Sequence, residues 1–433
     1  MKKIFQFSLL LSAFAAIVFF KTMLFSELTI AKLAAILMVV FFTIGMGALD
    51  ALKRYRYTAC IIVAVMAGML YPQLFLKIGN LDLRNKWLIL IVIQVVMFGM
   101  GIQMKLKDFT GIASTGKGVT IGLICHFSIM PLMGFLLTKL FHFEPEIAAG
   151  IILIGSCSSG LASNVMVYIA RANLVLSVVV TAMATLAAPF LTPLLMKLLA
   201  GTLIEVKFVN MMLEIIKIVL VPIGAALLND YLKTMQASNW RGMMAFFFIA
   251  FIWLLALFFG VWNYLALTIS SIPLLQSIEI ASFLIGAYVV GVLYHLMSIR
   301  FKKLDQIMPY LSMAGIIYFT TVTTAAGRDN LFQVGLLLFL ASVIHNAAGY
   351  FFGYWLSRLF KLDIPSARTI AFEVGLQNGG MASGLAGTMG KLGTVGLPAA
   401  VFSPWMNISG SILANYWRKK TIDPIGEKNT ASV

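Results

Sequence analysis

Phe372-Glu373-Val374-Gly375-Leu376-Gln377-Asn378-Gly379-Gly380 lies inside an apolar segment that runs from Thr369 to Leu385. A carboxylate at the centre of a bilayer helix costs roughly 2.5–3.5 kcal/mol on insertion scales, so such a group is as a rule paired or functional. Here it comes with two amides, Gln377 and Asn378, and with Gly375, Gly379 and Gly380. Each glycine weakens a helix by roughly 1 kcal/mol. A helix that breaks at mid-membrane exposes carbonyls and amides, which is tolerated only where they line a cavity or hold an ion. The stretch reads as half of a cation site, with the rest of the chain as the scaffold that supplies the other half.

The surrounding composition sets the class. Hydrophobic residues make up 61% of the 433 residues and charged residues only 11%, and the mean hydropathy is +0.97. A soluble domain carries about 25% charge. Apolar runs of about 20 residues, long enough to cross ~30 Å of hydrocarbon, recur from end to end and predict an all-α polytopic membrane protein of about 14 transmembrane helices. A membrane β-barrel would show short alternating segments instead. The third span is expected at Tyr57–Leu76, the sixth at Ile147–Ala170, the seventh at Leu174–Leu199, the ninth at Met243–Leu267 and the thirteenth at Thr369–Thr388. Connections are short. Residues 1–420 therefore form one membrane domain, followed by a polar tail, 421–433.

The formal net charge of +16 does not point to nucleic acid, because Lys and Arg cluster beside the apolar spans, as in Lys53-Arg54-Arg56, Arg300-Lys302-Lys303 and Arg418-Lys419-Lys420. That distribution places both termini, and the tail, in the cytoplasm of a cell whose inner (plasma) membrane the chain spans. The N-terminal Lys2-Lys3 and Ala13-Phe14-Ala15-Ala16 resemble a secretory signal, but the apolar run continues through Val18-Phe19-Phe20, which favours a retained first span. Cys60, Cys125 and Cys157 make no disulfide framework, and the four histidines form no HExxH-like cluster. Nothing here suggests an enzyme.

The chain also looks doubled. Ser158-Ser159-Gly160-Leu161-Ala162-Ser163-Asn164 in span six echoes Asn378-Gly379-Gly380-Met381-Ala382-Ser383-Gly384 in span thirteen. A shift of roughly 210–220 residues carries span positions of the first half onto the second, the internal symmetry expected of transporters. With seven spans per half, residues 1–200 and 201–420 would be inverted repeats. Two interrupted segments in corresponding positions point to a midplane site.

Span six breaks at Gly155-Ser156-Cys157-Ser158-Ser159-Gly160. A small-residue packing face would look similar, but four serines and an asparagine within ten residues exceed what packing requires. The second half of a broken helix would aim free N–H groups at an anion. In span seven, Ser177 and Thr181 share one face at i,i+4, although hydroxyls at such positions also bond to the i−4 carbonyl. A hard cation wants oxygen ligands. Glu373, Ser163, Asn164, Ser177 and Thr181 offer a carboxylate, an amide and three hydroxyls.

Gly155 to Met166, Leu176-Ser177 with Thr181, and Glu373 to Asn378 together resemble the bile acid:sodium symporter family. Phe98-Gly99-Met100-Gly101, Ile129-Met130-Pro131 and His345-Asn346 with Gly349-Tyr350 extend the likeness over Trp87–Leu228 and Met308–Trp417. The resemblance implies two inverted halves, a core and a panel domain, two crossed discontinuous helices, and one or two sodium ions. It implies a first sodium held by Ser163, Asn164, Ser177, Thr181 and Glu373. A second would be held by Glu373, Gln377 and the carbonyls of Val374 and Leu376, with Leu161 and Asn378 facing the substrate.

The chain departs from the family pattern in three ways. His126 stands where the family has a Gln. Imidazole is a poor sodium ligand, and a proton could replace one ion there, or His126 could be a packing histidine. Cys157-Ser158-Ser159-Gly160 lacks the family's proline at the break. Four extra spans, two–three and nine–ten, would enlarge the panel or build a face for a homo-oligomer.

The function this implies is sodium-coupled symport of a small organic anion, a carboxylate, by alternating access. One alternative is a proton-coupled carrier or exporter using Glu373 and His126. The other is a polytopic enzyme or sensor, which would need a nucleophile, metal cluster or soluble effector domain that the sequence does not display. Of the remaining polar residues, Glu214 and Lys217 are expected to pair at i,i+3, and Glu279 to face the membrane interface.

Overall fold

The computed structural model describes residues 2–49, 52–236 and 239–420; the polar tail lies outside the described residues. The architecture is helical. α1 (Lys2–Leu24) and α2 (Leu28–Gly45) form an N-terminal hairpin, followed by α3 (Arg56–Leu70), α4 (Pro72–Leu76) and α5 (Lys86–Gly101). Next come α6 (Ile112–Phe141), α7 (Pro145–Ser156), α8 (Ala162–Ile169) and α9 (Leu174–Ala200). α10 (Phe208–Ile215) and α11 (Val221–Leu232) are joined by a π-helical turn, Ile216–Leu220. A second π turn, Leu257–Val261, joins α12 (Trp240–Ala256) to α13 (Trp262–Thr268). The chain continues through α14 (Ile272–Arg300), α15 (Leu304–Ala326), α16 (Arg328–Leu359), α17 (Ile364–Gly375), α18 (Gly379–Thr388) and α19 (Leu397–Lys419). Among the described residues, nine helices are long and apolar enough to cross a membrane.

Local chemistry explains where the helices start and stop. Asn85 caps α5 by accepting from the amide of Trp87 at 2.9 Å, and Asn173 caps α9 through Leu176 at 3.1 Å. Proline occupies the first turn of α7, α14, α17 and α19, where a missing N–H costs nothing. The expected third span is shorter than its apolar run. Pro72 forces Tyr71 out of the helical region (φ −131°), so α3 ends at Leu70. The expected ninth span is kinked, because Gly260 sits at φ 103° in its π turn. After α4, a two-residue ribbon pairs Lys77–Ile78 with Leu81–Asp82. There the Arg84 guanidinium, 2.9 Å from Asp82, hydrogen-bonds its carboxyl and holds it below the usual carboxylate range.

Packing divides the helices into two bodies. α6, α7–α8, α9, α16, α17–α18 and α19 pack on one another. The second body runs side by side as α3, α15, α5, α11, α14 and α12, with the α1–α2 hairpin attached through α3. α18 packs against α5 and α15 and so joins the two. In a membrane, helix association rests on close van der Waals packing rather than on exclusion from water. Accordingly a Cβ on Gly349 would lie only 2.9 Å from the Cα of Gly375, where α16 meets the end of α17.

Candidate functional site

Both broken helices are present, and their breaks meet. α7 ends at Ser156 and α8 begins at Ala162; α17 ends at Gly375 and α18 begins at Gly379. Between them the two unwound segments pair as an isolated antiparallel bridge, Ser159 with Gln377. The Gly160 amide donates to the Leu376 carbonyl at 3.1 Å, and the Asn378 amide to the Ser158 carbonyl at 2.9 Å. Each break thus satisfies part of the other's backbone, which is what lets non-helical chain persist at membrane depth. Buried side chains do the rest. Asn346 donates to the Gly375 carbonyl at 2.8 Å, and Thr192 to the Ser156 carbonyl at 2.7 Å. Asn378 accepts from the Met381 amide at 3.0 Å and caps α18.

Beside this crossing lies the polar cluster expected from the sequence. Glu373, in the last turn of α17, is 0% exposed. Its Oε1 accepts from the Ser177 hydroxyl at 2.5 Å and its Oε2 from the Thr181 hydroxyl at 2.8 Å. Both hydroxyls come from one face of α9. Asn164 Oδ1, from α8, lies 2.7 Å from Ser177 Oγ and 3.4 Å from Thr181 Oγ1. Ser163 sits 3.4 Å from Thr181 while donating to the Gly160 carbonyl at 2.8 Å. All five residues are therefore brought together.

The electrostatics of this cluster are unbalanced. Ser177 has one proton and two acceptor oxygens within bonding distance, those of Glu373 and Asn164. Thr181 has one proton for the same two residues. Rotating the Asn164 amide would supply a hydrogen but would leave the carboxylate charge in place. Among the described residues Glu373 has no ion pair within 4 Å. A buried, unpaired carboxylate is strongly unfavourable unless a cation or a proton joins it.

The second expected group is arranged differently. The Val374 carbonyl accepts from Gln377 Nε2 at 2.7 Å, and the Leu376 carbonyl is shared by the Gly160 amide and the Ser159 hydroxyl. His126 places Nδ1 2.9 Å from the Glu373 carbonyl and Nε2 2.8 Å from the Cys157 carbonyl, so neither ring nitrogen faces open space. Gln377 Oε1 and Asn378 Nδ2 are buried and pair with no protein group among the described residues. Leu161, half-buried, immediately precedes α8.

Sequence reasoning gave the supporting residues no role, although Ser159 stands in the quoted break and Asn346 in the family likeness. Ser159 ties Ser163 to the Leu376 carbonyl, while Asn346, Ser409 and Thr192 hold the ends of α7 and α17. Their signal was available only as buried polar residues in apolar helices. The expectation for Glu279 needs correction. Glu279 does not simply face the membrane interface but reaches Lys217 at 2.9 Å, while Lys217 also bonds Glu214 at 2.7 Å as the i,i+3 spacing implied.

Comparison with known proteins agrees with the geometry. The model of the sodium bile acid symporter family matches residues 90–266. YocS of Bacillus subtilis, an uncharacterised sodium-dependent transporter, is 33% identical over 360 residues, covering 83% of this chain and 90% of the relative. The probable chloroplastic sodium/metabolite cotransporter BASS1 of Arabidopsis thaliana is 29% identical over 326 residues, 75% of this chain and 65% of the relative. The human ileal sodium/bile acid cotransporter is 26% identical over 290 residues, 66% of this chain and 65% of the relative.

Proposed function

This chain belongs to the sodium bile acid symporter family, and on that premise we propose that it couples sodium entry to uptake of a small organic anion, a carboxylate, by alternating access. The observation that carries this is the shortage of hydrogens around a buried carboxylate: Glu373, Asn164, Ser177 and Thr181 present more lone pairs than protons. A sodium ion held by Ser163, Asn164, Ser177, Thr181 and Glu373 fits that oxygen set, and its charge cancels that of the carboxylate.

The remaining features fit a two-body carrier. A shift of about 219 residues superposes the boundaries of α7 on those of α17, as expected of an inverted-repeat transporter. The same shift carries the left-handed residue His142 onto Lys361 and Arg171 onto Gly390. The body containing both broken helices would be the core, and the second body the panel against which it rocks. The chain would then cross the inner membrane about 14 times, with both termini in the cytoplasm. The carboxylate of the substrate would meet Asn378 Nδ2 and the amides at the start of α8, near Leu161.

A specific observation favours one refinement. With carbonyl oxygens at both ring nitrogens, His126 satisfies both contacts only as imidazolium. A proton on His126 then takes the part of a second cation, and transport moves one sodium with that proton.

The test is a sodium titration of purified protein against potassium, read by thermal stability. Counterflow of labelled small carboxylates in proteoliposomes follows. Saturable, sodium-selective stabilisation and sodium-dependent counterflow are expected. An absent sodium response from mildly acidic to mildly basic pH overturns sodium coupling.

A further inference from the structure

Away from the crossing, the second body carries a half-open cavity of about 780 Å³ between α5, α10–α11, α12–α13 and α14. That volume is ample for a bound small molecule. Its walls are polar at one end only. Lys86, Glu214 and Glu279 lie within two turns of the starts of α5, α10 and α14. Phe98, Ala225 and Val290 line it further along the same helices. From Lys86 to Phe98, and from Glu279 to Val290, the 1.5 Å helical rise gives roughly 16–18 Å. The space is therefore a slot with a charged head end and an apolar length.

Lys217 Nζ contacts Glu214 at 2.7 Å and Glu279 at 2.9 Å, with the Phe283 ring 5.6 Å away. This triad alone carries one negative charge in excess, and Lys86 at the same end brings a second ammonium, so the head end offers carboxylates on one side and a further cation on another. Lys217 is placed by the π turn Ile216–Leu220, whose Lys217 carbonyl is taken by Gln94 at 3.2 Å. The opposite wall bends at the second π turn, where Gly260 departs from helical geometry. π turns inside helices are frequent at functional sites. Ionisable groups within membrane spans are costly, so their collection at one end of a cavity calls for a ligand.

We propose that this cavity binds an amphiphile with a protonated amine head and an apolar chain, as in an aminolipid. The ammonium would contact the outward oxygens of Glu214 and Glu279, and the chain would lie along α5 and α14. The site is separate from the ion cluster at Glu373.

The experiment uses the full chain in neutral detergent. Binding of lysophosphatidylethanolamine and of lysophosphatidylglycerol with the same chain is measured by native mass spectrometry. The expected result is one saturable molecule, with the amine-bearing lipid favoured by about tenfold. Glu279→Gln removes one of the two carboxylates that would face the amine and should reduce that preference to below about twofold. Among the described residues a Cβ on Gly286 meets nothing within 4 Å, so Gly286→Phe extends into the slot and should abolish both lipids' binding. The sodium-dependent melting shift, unchanged in both variants, shows that they are folded. Decylamine should displace the bound amine-bearing lipid and decanol should not. Equal binding of the two lipids, survival of binding in Gly286→Phe, or failure of decylamine to compete would each overturn the assignment.

Discussion

Glu373→Gln separates charge from shape at the ion cluster. The substitution keeps the length of the side chain and one carbonyl oxygen, and removes the charge. Removing one partner of a buried charged contact costs roughly 3–5 kcal/mol. The retained oxygen argues for the low end, about 3 kcal/mol, which is about a hundredfold in sodium affinity at 1.4 kcal/mol per tenfold. At a sodium concentration about 100 times the dissociation constant of the unmutated protein, binding stabilises by about 2.7 kcal/mol; a hundredfold weaker site leaves about 0.4 kcal/mol. Without sodium the balance favours the variant. The unmutated protein then holds a 0% exposed carboxylate among acceptors that outnumber the hydroxyl hydrogens of Ser177 and Thr181, whereas the glutamine amide brings two donors. Satisfying a buried acceptor is worth roughly 1–3 kcal/mol, so the variant should melt higher than the unmutated protein in potassium. The assay is paired melting in sodium and in potassium at one ionic strength, and the sodium-over-potassium stabilisation should fall from about 2.7 kcal/mol in the unmutated protein to about 0.4 kcal/mol in the variant. A variant that keeps its sodium-selective shift at the same midpoint would refute the assignment of Glu373. So would a sodium-free variant several kcal/mol less stable than its parent, because Glu373 would then be structural.

Other substitutions test neighbouring parts of the site. Ser177→Ala and Thr181→Val each remove one hydroxyl from Glu373 and Asn164. Each should weaken sodium roughly tenfold, the value of one hydrogen-bonding group to a charge, seen as a moved midpoint in the same titration. Because sodium and a proton compete for one carboxylate, the apparent sodium affinity should fall as pH is lowered, by at most about tenfold per unit; a flat profile over acidic pH would exclude that competition. His126→Gln should raise the sodium Hill coefficient from near one towards two, if imidazolium stands in for an ion; an unchanged coefficient would leave His126 as a packing residue. Gly375→Ala would place a methyl 2.3 Å from the Tyr350 ring. Overpacking of this kind costs roughly 1–3 kcal/mol, and Tyr350→Leu in the same chain should recover most of the lost melting temperature.

The polar cluster around Glu373 was legible because each of its parts breaks a rule that membrane helices otherwise keep. Glu373 is a carboxylate where none should be, and Gly375, Gly379 and Gly380 weaken a helix at the same place. Ser177 and Thr181 could be assigned to one face from i,i+4 spacing alone. The break in span six was legible without a proline, because serines replace it at Ser158 and Ser159. The backbone of the break requires partners, and across the crossing the Asn378 amide donates to the Ser158 carbonyl while the Leu376 carbonyl accepts from the Gly160 amide. What stayed hidden is everything set by contacts between distant helices. Helical spacing pairs Lys217 with Glu214, three residues away, but carries no information about Glu279, 62 residues on. A glycine inside an apolar run is tolerated in a helix, so Gly260 gave no sign of the kink that shapes the cavity wall. His126 was visible as an odd residue, yet its consequence depends on two carbonyls, those of Glu373 and Cys157, that only the folded chain places at its two nitrogens.

Those two carbonyls also tie the ion cluster to the crossing. His126 bonds the backbone of Glu373 on one side and the start of the span-six break on the other. Ser159 and Ser163 link the same break to Thr181, and Asn346 holds the end of α17. The ligands of the proposed ion thus come from α8, α9 and α17, and every backbone group that positions them belongs to the body formed by α6–α9 and α16–α19. An ion bound there can draw those helices together without engaging α11 or α14. Its effect reaches the second body where α18 packs on α5 and α15, α9 on α10, and α19 on α3 and α15. Gly384 of α18 faces Ile93 of α5, where a Cβ would approach to 2.6 Å. Gly384→Val should therefore leave the sodium midpoint in place while slowing sodium-dependent counterflow, because it obstructs sliding between the bodies and not the ligands. Loss of sodium binding in that variant would instead mean that the two bodies share the ion site.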